Sequence, residues 1–339
     1  MHVLVTGGGG FLGRAIVEQS VARGDRVRSL ARGTYPQLAE LGVECVRGDV
    51  SNPAAAEAAC RGVECVIHTA AIAGVRMQRE PYDRINLNGT QNIIAACRAA
   101  GVPRLVYTSS PSVTFAGEDQ RGVDESAPLA VEWLEAHRSW YSASKARAEA
   151  EVLAANGPEL ATCALRPHLI WGPRDNHLVP RLIDRARRGR LRRVGDGANL
   201  VDMIYVDNAA AAHLLAADAL ARPDSLAAGK AYFLSQGEPV NCWQWIDEIL
   251  ALAELPPVGR SISYGAARRI GAACEAIYRL LPGREPPMTR FVAAQLAKSH
   301  WFDISAARSD LGYEPAVSTA LGMQRLGEWL RLCAGPPGH

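Results

Sequence analysis

The sequence has few of the residue patterns that build metal or disulfide sites. Its eight cysteines form no Cys-x-x-Cys pair, and its eight histidines form no His-x-His or His-x-x-x-His pair. Most of the cysteines lie within apolar runs, where a free thiol behaves as a small hydrophobic side chain. These absences favour buried thiols in a reducing compartment and leave no candidate metal site.

Long apolar runs and a strong charge excess are also missing. No stretch is long enough to span a bilayer, and the glycines from Gly7 to Gly10 interrupt the apolar core that a signal peptide would need. A formal net charge of +2 favours neither nucleic acid nor an acidic partner. We therefore expect a cytoplasmic protein without a transmembrane segment and without a nucleic-acid partner.

What the sequence does contain is a regular alternation of short apolar strands and helical stretches. Hydrophobic residues make up 48% and charged residues 21% of the 339 residues, which is typical of a globular protein. Strands are predicted at residues 3–6, 26–30, 43–47, 65–68, 105–108 and 163–166, and helices at residues 14–23, 54–60, 89–100 and 141–155. With right-handed crossovers, this alternation predicts an α/β fold with a doubly wound parallel sheet, the Rossmann arrangement.

A glycine loop joins the first predicted strand to the first helix. Gly7, Gly10 and Gly13 have the spacing at which one glycine allows a tight turn, the second admits a pyrophosphate and the third lets helix and strand pack closely. Phe11 and Leu12 lie at the start of the helix, whose N-terminus presents free N–H groups to phosphates. The loop predicts a dinucleotide-binding site.

The pattern loosens after residue 172, and this change suggests the domain organisation. We predict a dinucleotide-binding domain at residues 1–172, with residues 203–235 returning to it or bridging it. Residues 173–202 and 236–335 are predicted to form a smaller, interleaved substrate lobe. The glycine- and proline-rich tail at residues 335–339 is predicted to be disordered.

Two groups of polar residues are candidates for chemistry. Tyr141 and Lys145 are four residues apart on a predicted helix and therefore share one face, where the ammonium is expected to lower the tyrosine pKa. Ser109 and Ser110 follow a predicted strand at the carboxyl edge of the sheet, where open α/β sheets bind ligands. Considered alone, Tyr141 and Lys145 are equally compatible with an ordinary helix surface. Ser109 and Ser110 are equally compatible with a simple turn before Pro111.

Considered together and in this order, the glycine loop, the strand-end serine and the Tyr/Lys helix resemble the short-chain dehydrogenase/reductase superfamily. The Thr-Gly-x-x-Gly-x-x-Gly form of the loop and the chain length resemble its extended branch. Further matching segments are Asp49-Val50, His68-Thr69-Ala70-Ala71, Asn86-Leu87-Asn88-Gly89-Thr90 and Arg166-Pro167.

The resemblance implies specific roles for these residues. Tyr141 would be the general acid/base, Lys145 the ribose clamp and Ser110 the hydroxyl that positions the reacting oxygen, with Asn86 beside this catalytic group. It also implies that the cofactor is contacted by Tyr141 and Lys145 and by further residues, namely Asp49, Val50, Thr69, Ala70, Ala71, Thr108, Ser109 and Pro167.

Within the superfamily, two features bear on the substrate. Nucleotide-sugar enzymes of this branch carry a diphosphate-binding arginine where this chain has Val201, which argues against a sugar nucleotide. Segments at residues 107–110, 229–235 and 285–290 resemble the 3β-hydroxysteroid dehydrogenase-like group. Within that group, residues 180–205 and much of 264–315 resemble the bacterial 2-alkyl-3-oxoalkanoate reductases. The resemblance implies an oxidoreductase that interconverts a ketone and a secondary alcohol on an apolar, lipid-like substrate, either a β-keto acid of that kind or a 3β-hydroxysteroid.

The cofactor is predicted from the end of the second strand. NAD enzymes normally place a carboxylate there to bind the ribose hydroxyls, whereas this chain has Ala31 followed by Arg32. Arg32 is well placed to meet a 2′-phosphate. We therefore expect NADP(H), with NAD(H) as the alternative.

Several alternatives remain open at this point. The chain could be an epimerase or dehydratase with tightly held NAD, or a nucleotide-sensing regulator with a silent site. The arginines between residues 181 and 193 could be a solvated surface or an anion patch, and the helical stripe at residues 266–281 could be core, lid or a peripheral membrane contact. Because many relatives dimerise through two helices, here residues 89–100 and 141–155, the resemblance also implies a homodimer.

Overall fold

The architecture rests on many short strands in a parallel order. The computed structural model describes residues 1–281 and 283–334. The strands are β1 (His2–Thr6), β2 (Arg26–Ala31), β3 (Glu44–Arg47), β4 (Cys65–His68), β5 (Arg104–Thr108), β6 (Gln120–Val123), β7 (Ala161–Pro167), β8 (Ile170–Trp171), β9 (Arg193–Val194), β10 (Leu200–Val201), β11 (Ile204–Tyr205), β12 (Lys230–Leu234), β13 (Val240–Asn241), β14 (Ser261–Ile262) and β15 (His300–Phe302).

Helices connect these strands and cover them. They are α1 (Phe11–Ala22), α2 (Pro36–Ala39), α3 (Pro53–Cys60), α4 (Glu80–Tyr82), α5 (Gly89–Ala100), α6 (Val131–Ala136), α7 (Trp140–Ala154), α8 (Leu178–Arg187), α9 (Val206–Ala219), α10 (Cys242–Leu252), α11 (Tyr264–Tyr278), α12 (Arg290–Ala297) and α13 (Thr319–Ala334). A 3₁₀ turn covers Pro111–Thr114, and π-helical segments cover Asp83–Asn88 and Ala307–Leu311.

The main sheet has seven strands in the order β12-β7-β5-β4-β1-β2-β3, all paired in parallel. Its strands are apolar on both faces: Val3 and Val5 pack into the core on the side of α1 and α9, whereas Leu4 packs on the opposite side with α3, α5 and α7. Helices on both faces remove both sets of side chains from water, which is the arrangement of parallel sheets. The predicted doubly wound α/β fold is confirmed.

The C-terminal third adds smaller sheets around this core. A four-stranded sheet has the order β13-β10-β15-β6, while β11 pairs with β8 and β14 with β9. Strand β6 comes from the first half of the chain yet pairs with β15, and β12 returns to the main sheet beside β7. The two halves of the chain therefore contribute strands to each other's sheets, and the two-domain organisation with its boundaries stays a prediction.

Local predictions and observed elements agree best in the first half. Strand β4 and helix α5 have the predicted bounds, and the other predicted elements there differ by at most a few residues at their ends. The eight cysteines are free thiols. Among residues 1–281 and 283–334, no helix has the length and hydropathy needed to cross a membrane. The predicted disordered tail lies outside the described residues.

Candidate active site

The glycine loop lies between β1 and α1 and is shaped by close backbone contacts. Gly7 has a φ of +72°, and its N–H donates to the carbonyl of Leu30 at 2.8 Å. The N–H of Gly10 donates to the carbonyl of Gly7, also at 2.8 Å. A Cβ added at Gly13 would lie only 2.2 Å from the Gly7 oxygen, so this position requires glycine for helix and loop to meet.

The loop leaves the N-terminus of α1 open towards a cavity. Gly10 caps the helix without a side-chain hydrogen bond. The N–H groups of Phe11, Leu12 and Gly13 have no acceptor one turn earlier in the helix, and all three residues line the cavity. Such a helix terminus stabilises negative charge, as the phosphates of a dinucleotide require.

The cavity has a volume of about 460 Å³ and follows the carboxyl edge of the main sheet. It brings together nearly all of the residues predicted from the sequence. They are Gly7, Gly10, Phe11, Leu12, Gly13, Arg32, Asp49, Val50, Thr69, Ala70, Ala71, Thr108, Ser109, Ser110, Tyr141 and Pro167. Lys145 and Asn86 are the two predicted site residues that do not line it.

Arg32 and Asp49 line one end of the cavity, where they follow the ends of β2 and β3. Arg32 is exposed, and no carboxylate precedes it at the end of β2. Asp49 accepts hydrogen bonds from the backbone N–H and the hydroxyl of Ser51, each at 2.9 Å. Burial raises the pKa of Asp49, but these hydrogen bonds and the nearby charge of Arg32 outweigh it and hold the pKa below its usual value.

The middle of the cavity is built on a buried network behind Thr69 and Ala70. The Thr69 hydroxyl donates to the carbonyl of Thr6 at 2.7 Å, and the Ala70 N–H donates to the Thr6 hydroxyl at 3.2 Å. That hydroxyl in turn contacts His68 at 2.6 Å, and the other ring nitrogen of His68 lies 3.0 Å from Thr90. Burial lowers the pKa of His68 to about 3, so the ring is neutral and the wall is rigidly held.

At the opposite end, Tyr141 and Ser110 face each other across the ends of α7 and β5. Burial raises the pKa of Tyr141 to about 12, and a hydrogen bond with Ser110 opposes this rise. Lys145 is not among the groups that shift it. The expectation that the lysine ammonium lowers the Tyr141 pKa is therefore wrong for this structure, because burial dominates and the lysine faces elsewhere.

Lys145 is almost completely buried beneath the cavity wall. Its ammonium donates to the carbonyl of Thr108 and lies 4.1 Å from the centre of the Tyr107 ring. Burial lowers the pKa of Lys145 to about 7, and the carboxylate of Glu149 opposes this shift. Its role as a ribose clamp stays a prediction.

Asn86 lies in the π-helical segment and holds the backbone next to the cavity. Its side-chain oxygen accepts from the N–H of Ile72 at 2.8 Å, and its amide donates to the Ile72 carbonyl at 3.1 Å and to Ser144 at 3.0 Å. Since Ile72 lines the cavity, Asn86 shapes the wall from behind. The structure places no Asn86 atom at the cavity surface, and its catalytic role stays a prediction.

Residues that the sequence pattern did not identify complete the cavity. They are Leu30, Tyr35, Gly48, Ile72, Ala73, Ile85, Leu169, Ile170, Asp175 and His177. Ala31, identified above at the end of the second strand, lines the cavity as well. The Tyr35 ring covers the glycine loop, since a Cβ added at Gly9 would lie 2.2 Å from it. Asp175 caps α8 by accepting from the N–H groups of His177, Leu178 and Val179. No motif marked these positions, because apolar and small residues such as Leu30 and Ile72 carry no chemical signature in the sequence and line the cavity only through the way their segments pack.

Val201 and the arginines between residues 181 and 193 were singled out from the sequence. Val201 is fully buried in β10, in the four-stranded sheet. Several arginines between residues 181 and 193 are engaged within the chain: Arg181 pairs with Glu285, Arg188 with Asp184 and Arg193 with Asp247. This pairing favours the interpretation of a solvated surface over a free anion patch.

Helix α11 and the residues after it expose an apolar stripe. Ile270 is 48% exposed, Ile277 57% and Leu280 83%, and Leu281 is exposed as well. These side chains do not belong to the core, so the core interpretation of this stripe is wrong for them. Arg268, Arg269 and Arg279 are exposed on the same segment.

Comparison with known proteins gives a consistent set of relatives. A sequence model of the 3-beta hydroxysteroid dehydrogenase/isomerase family matches residues 4–256. A 2-alkyl-3-oxoalkanoate reductase of Stenotrophomonas maltophilia (strain K279a) is 50% identical over 330 residues, covering 96% of this chain and 98% of that protein. A decarboxylating sterol-4-alpha-carboxylate 3-dehydrogenase of Homo sapiens is 35% identical, covering 95% of this chain and 86% of that protein. The solved structure of MoeE5 in complex with UDP-glucuronic acid and NAD has a TM-score of 0.74 at 26% identity, covering 98% of this chain and 100% of that one.

Proposed function

Because the chain belongs to the 3-beta hydroxysteroid dehydrogenase/isomerase family and is an NAD(P)-dependent oxidoreductase, we propose that it interconverts the ketone and the secondary alcohol of an apolar β-keto or β-hydroxy acid. The observation that carries this proposal is one continuous cavity, which joins the glycine loop at one end to the hydroxyls of Ser110 and Tyr141 at the other.

The residues of the cavity suit a nicotinamide dinucleotide. The loop glycines leave room that a Cβ would fill, the α1 N-terminus faces the phosphates, and the buried Ser109 hydroxyl lacks a hydrogen-bond partner within the described part of the chain. When bound there, such a cofactor supplies or accepts a hydride. We expect Lys145 to bind its ribose after leaving the Thr108 carbonyl.

The protein contributes proton transfer and orientation. In the direction of ketone reduction, the Tyr141 hydroxyl gives its proton to the substrate oxygen while hydride reaches the carbonyl carbon, and Ser110 donates a hydrogen bond to the same oxygen. The high pKa of Tyr141 keeps its phenol protonated before the reaction, as this direction requires. Alcohol oxidation runs the same transfers in reverse.

We propose NADP(H) as the cofactor, with NAD(H) as the alternative. Arg32 lies exposed at the end of the cavity, where a 2′-phosphate would accept its hydrogen bonds, and Ala31 replaces the carboxylate that would repel that phosphate. NAD is the cofactor in the related MoeE5 complex. The ratio of kcat/KM for NADPH and NADH decides between the two.

A 2-alkyl-3-oxoalkanoate is the substrate class that we favour over a steroid. The reductase with that name shares 50% identity across nearly the whole chain, whereas the sterol dehydrogenase shares 35%. Apolar side chains of Ile72, Leu169 and Ile170 line the cavity near its catalytic end. The buried Val201 lacks the positive charge that would hold the diphosphate of a nucleotide sugar, which argues against an epimerase or dehydratase.

The test is a matched series of substrates with each cofactor. We expect NADPH oxidation with 2-alkyl-3-keto acids to exceed that with unbranched keto acids, steroid ketones and aryl ketones. Indifference to 2-alkyl-3-keto acids would remove this substrate class. Conversion of a nucleotide sugar without net NADPH consumption would support an epimerase, and tight cofactor binding without turnover of any substrate would support a regulatory protein.

The exposed stripe on α11 is our candidate for a peripheral contact with anionic lipid. Apolar Ile270, Ile277 and Leu280 lie beside exposed arginines, the combination that lets a helix lie in a bilayer interface. Such a contact would let a lipid-like substrate enter from the membrane surface. We expect cosedimentation with vesicles containing anionic lipid, reduced by Ile277→Asp but not by Leu226→Asp, an exposed leucine elsewhere. Equal sedimentation of both variants would refute the contact.

We further propose a cytoplasmic homodimer that pairs through α5 and α7. These helices pack against each other beside the catalytic end and keep exposed residues such as Arg98, Ala99 and Glu151 on their outer faces. Light scattering after size exclusion should give twice the chain mass of 36.4 kDa. A monomer across the micromolar range would exclude the dimer.

A further inference from the structure

A chain of four serine hydroxyls leads away from the catalytic end of the cavity. Ser110 caps the 3₁₀ turn and lies 2.8 Å from the hydroxyl of Ser112 within that turn. The hydroxyl of Ser112 lies 3.0 Å from Ser142 on α7, which is 3.2 Å from Ser139 at the helix N-cap. Ser142 is fully buried, so its hydroxyl depends on these partners.

Two links of the chain have one direction of donation. Ser139 donates to Ser142, and Ser142 donates to Ser112. Each hydroxyl has a single proton. Between Ser112 and Ser110 either hydroxyl can be the donor, and donation by Ser112 continues the chain towards Ser110, which also accepts from the backbone N–H of Ser112 at 3.3 Å.

In that orientation Ser110 keeps its own proton for a partner in the cavity. Its lone pairs accept from the hydroxyl and the backbone N–H of Ser112. Ser110 lines the cavity together with Tyr141, so the Tyr141 oxygen and a substrate oxygen are the acceptors within its reach. Aligned hydroxyls polarise one another, which makes the last one a stronger donor.

We propose that Ser112 and Ser142 are positioning residues that hold Ser110 as a donor to the reacting oxygen during proton transfer and to the Tyr141 phenolate when that is the charged partner. The inference rests on the proposed function and extends it by two residues. No serine gains or loses a proton: the Tyr141 proton goes to the substrate oxygen, hydride goes to the carbonyl carbon, and the hydroxyl chain stabilises the phenolate that remains.

Among the groups around Tyr141, Ser110 is the one that can stabilise its phenolate by a hydrogen bond. Tyr82 and Tyr107 are the titratable groups that approach it from neighbouring elements, Lys145 shares its helix, and Asp175 and His177 line the same cavity. Burial is the main cause of the raised pKa of Tyr141, and the hydrogen bond with Ser110 is the contact that lowers it.

The experiment measures kcat against pH for alcohol oxidation with NADP⁺ in the full-length enzyme. This direction requires the phenolate, so the acid limb of the profile reports the ionisation of Tyr141 in the complex with NADP⁺. There the positive charge of the oxidised nicotinamide would favour the phenolate and bring the limb below the pKa of about 12 that burial gives Tyr141 in the free chain. We expect Ser112→Ala and Ser142→Ala each to move that limb upwards by about half to one pH unit, the loss of one supporting hydrogen bond. At pH values above the limb, both variants should recover most of the wild-type kcat, and their KM for NADP⁺ should stay unchanged.

Two further variants separate positioning from general damage. Ser112→Thr restores a hydroxyl and should return the limb towards the wild-type position. Ser20→Ala removes another buried hydroxyl, one without a hydrogen-bond partner among the described residues, and should leave the profile unchanged. Should Ser142→Ala fail to fold, the half-buried Ser112 still provides the test.

The outcomes are distinct. If the wild-type enzyme is active and both alanine variants keep the wild-type limb, the inference is refuted while the proposed function stands. A fall in kcat that is equal at every pH would also overturn it, because that result indicates structural damage. If the wild-type enzyme oxidises no alcohol and reduces no ketone, the proposed function itself fails.

Discussion

Buried neutral histidines support the catalytic end of the cavity, and their protonation should destabilise the protein in acid. His213 accepts from the Thr108 hydroxyl at 2.8 Å, and its other ring nitrogen donates to the carbonyl of Ala209 at 2.7 Å. Burial lowers the pKa of His213 to about 4 and that of His68 to about 3. His168 and His300, 2.6 Å apart, also have pKa values below the usual range because they are buried.

The sign and size of the effect follow from proton linkage. Below the unfolded histidine pKa of about 6.5, the unfolded chain binds protons that the folded rings do not, so stability falls as the pH falls. Each pH unit in this window costs about 1.4 kcal/mol per histidine, and the window for His213 ends near its folded pKa of about 4. At pH 5, His213 and His68 should therefore each reduce the free energy of unfolding by about 2 kcal/mol.

The assay is urea unfolding at pH 7.5 and pH 5, in the wild type and in His213→Gln. Glutamine can donate to Ala209 and accept from Thr108 but does not titrate, so the variant should lose about 2 kcal/mol less stability between the two pH values. Asp202, whose pKa burial raises to about 6, acts in the opposite direction and cancels in this comparison. The exposed His177 provides the substitution control, His177→Gln, measured at the same two pH values. An unchanged pH dependence in His213→Gln would refute the argument.

Three further predictions follow from contacts in and around the cavity. Gly13→Ala places a Cβ against the Gly7 carbonyl and should abolish NADPH binding in a fluorescence titration; wild-type affinity would contradict the tight turn. Arg32→Ala should raise KM for NADPH about tenfold or more while leaving KM for NADH nearly unchanged, and an equal change for both cofactors would exclude a 2′-phosphate contact. Glu149→Gln leaves Arg166 buried without its carboxylate and should cost about 3 kcal/mol in urea unfolding, with a loss below 1 kcal/mol as the contradicting result.

The main sheet and the cofactor end of the cavity could be predicted from the sequence because their signals are local. A strand such as Cys65–His68 is a short apolar run, and the spacing of Gly7, Gly10 and Gly13 is set by one turn. In parallel sheets, the carboxyl ends of the strands meet at one edge. Residues from distant segments, such as Asp49 and Ser110, therefore line the same cavity, although they lie at opposite ends of it.

The second lobe and the electrostatics of the site could not be predicted in this way. Strands of two residues, such as Leu200–Val201 and Val240–Asn241, are defined by their pairing with other strands. Two residues are too few to show the alternating hydrophobic pattern from which a strand is predicted. From the spacing along one helix we expected Lys145 to lower the pKa of Tyr141. Burial by neighbouring elements raises that pKa instead. The hydroxyl chain through Ser112 and Ser142 likewise depends on how α7 packs against the 3₁₀ turn.

We propose that Tyr141 transfers the proton that accompanies hydride transfer. Tyr141→Phe removes that hydroxyl and keeps the ring, and the direct measurement is stopped-flow oxidation of bound NADPH on mixing with a 2-alkyl-3-keto acid. We expect a rate lower by about 100-fold or more, with Kd for NADPH unchanged. Oxidation at close to the wild-type rate in Tyr141→Phe would contradict it.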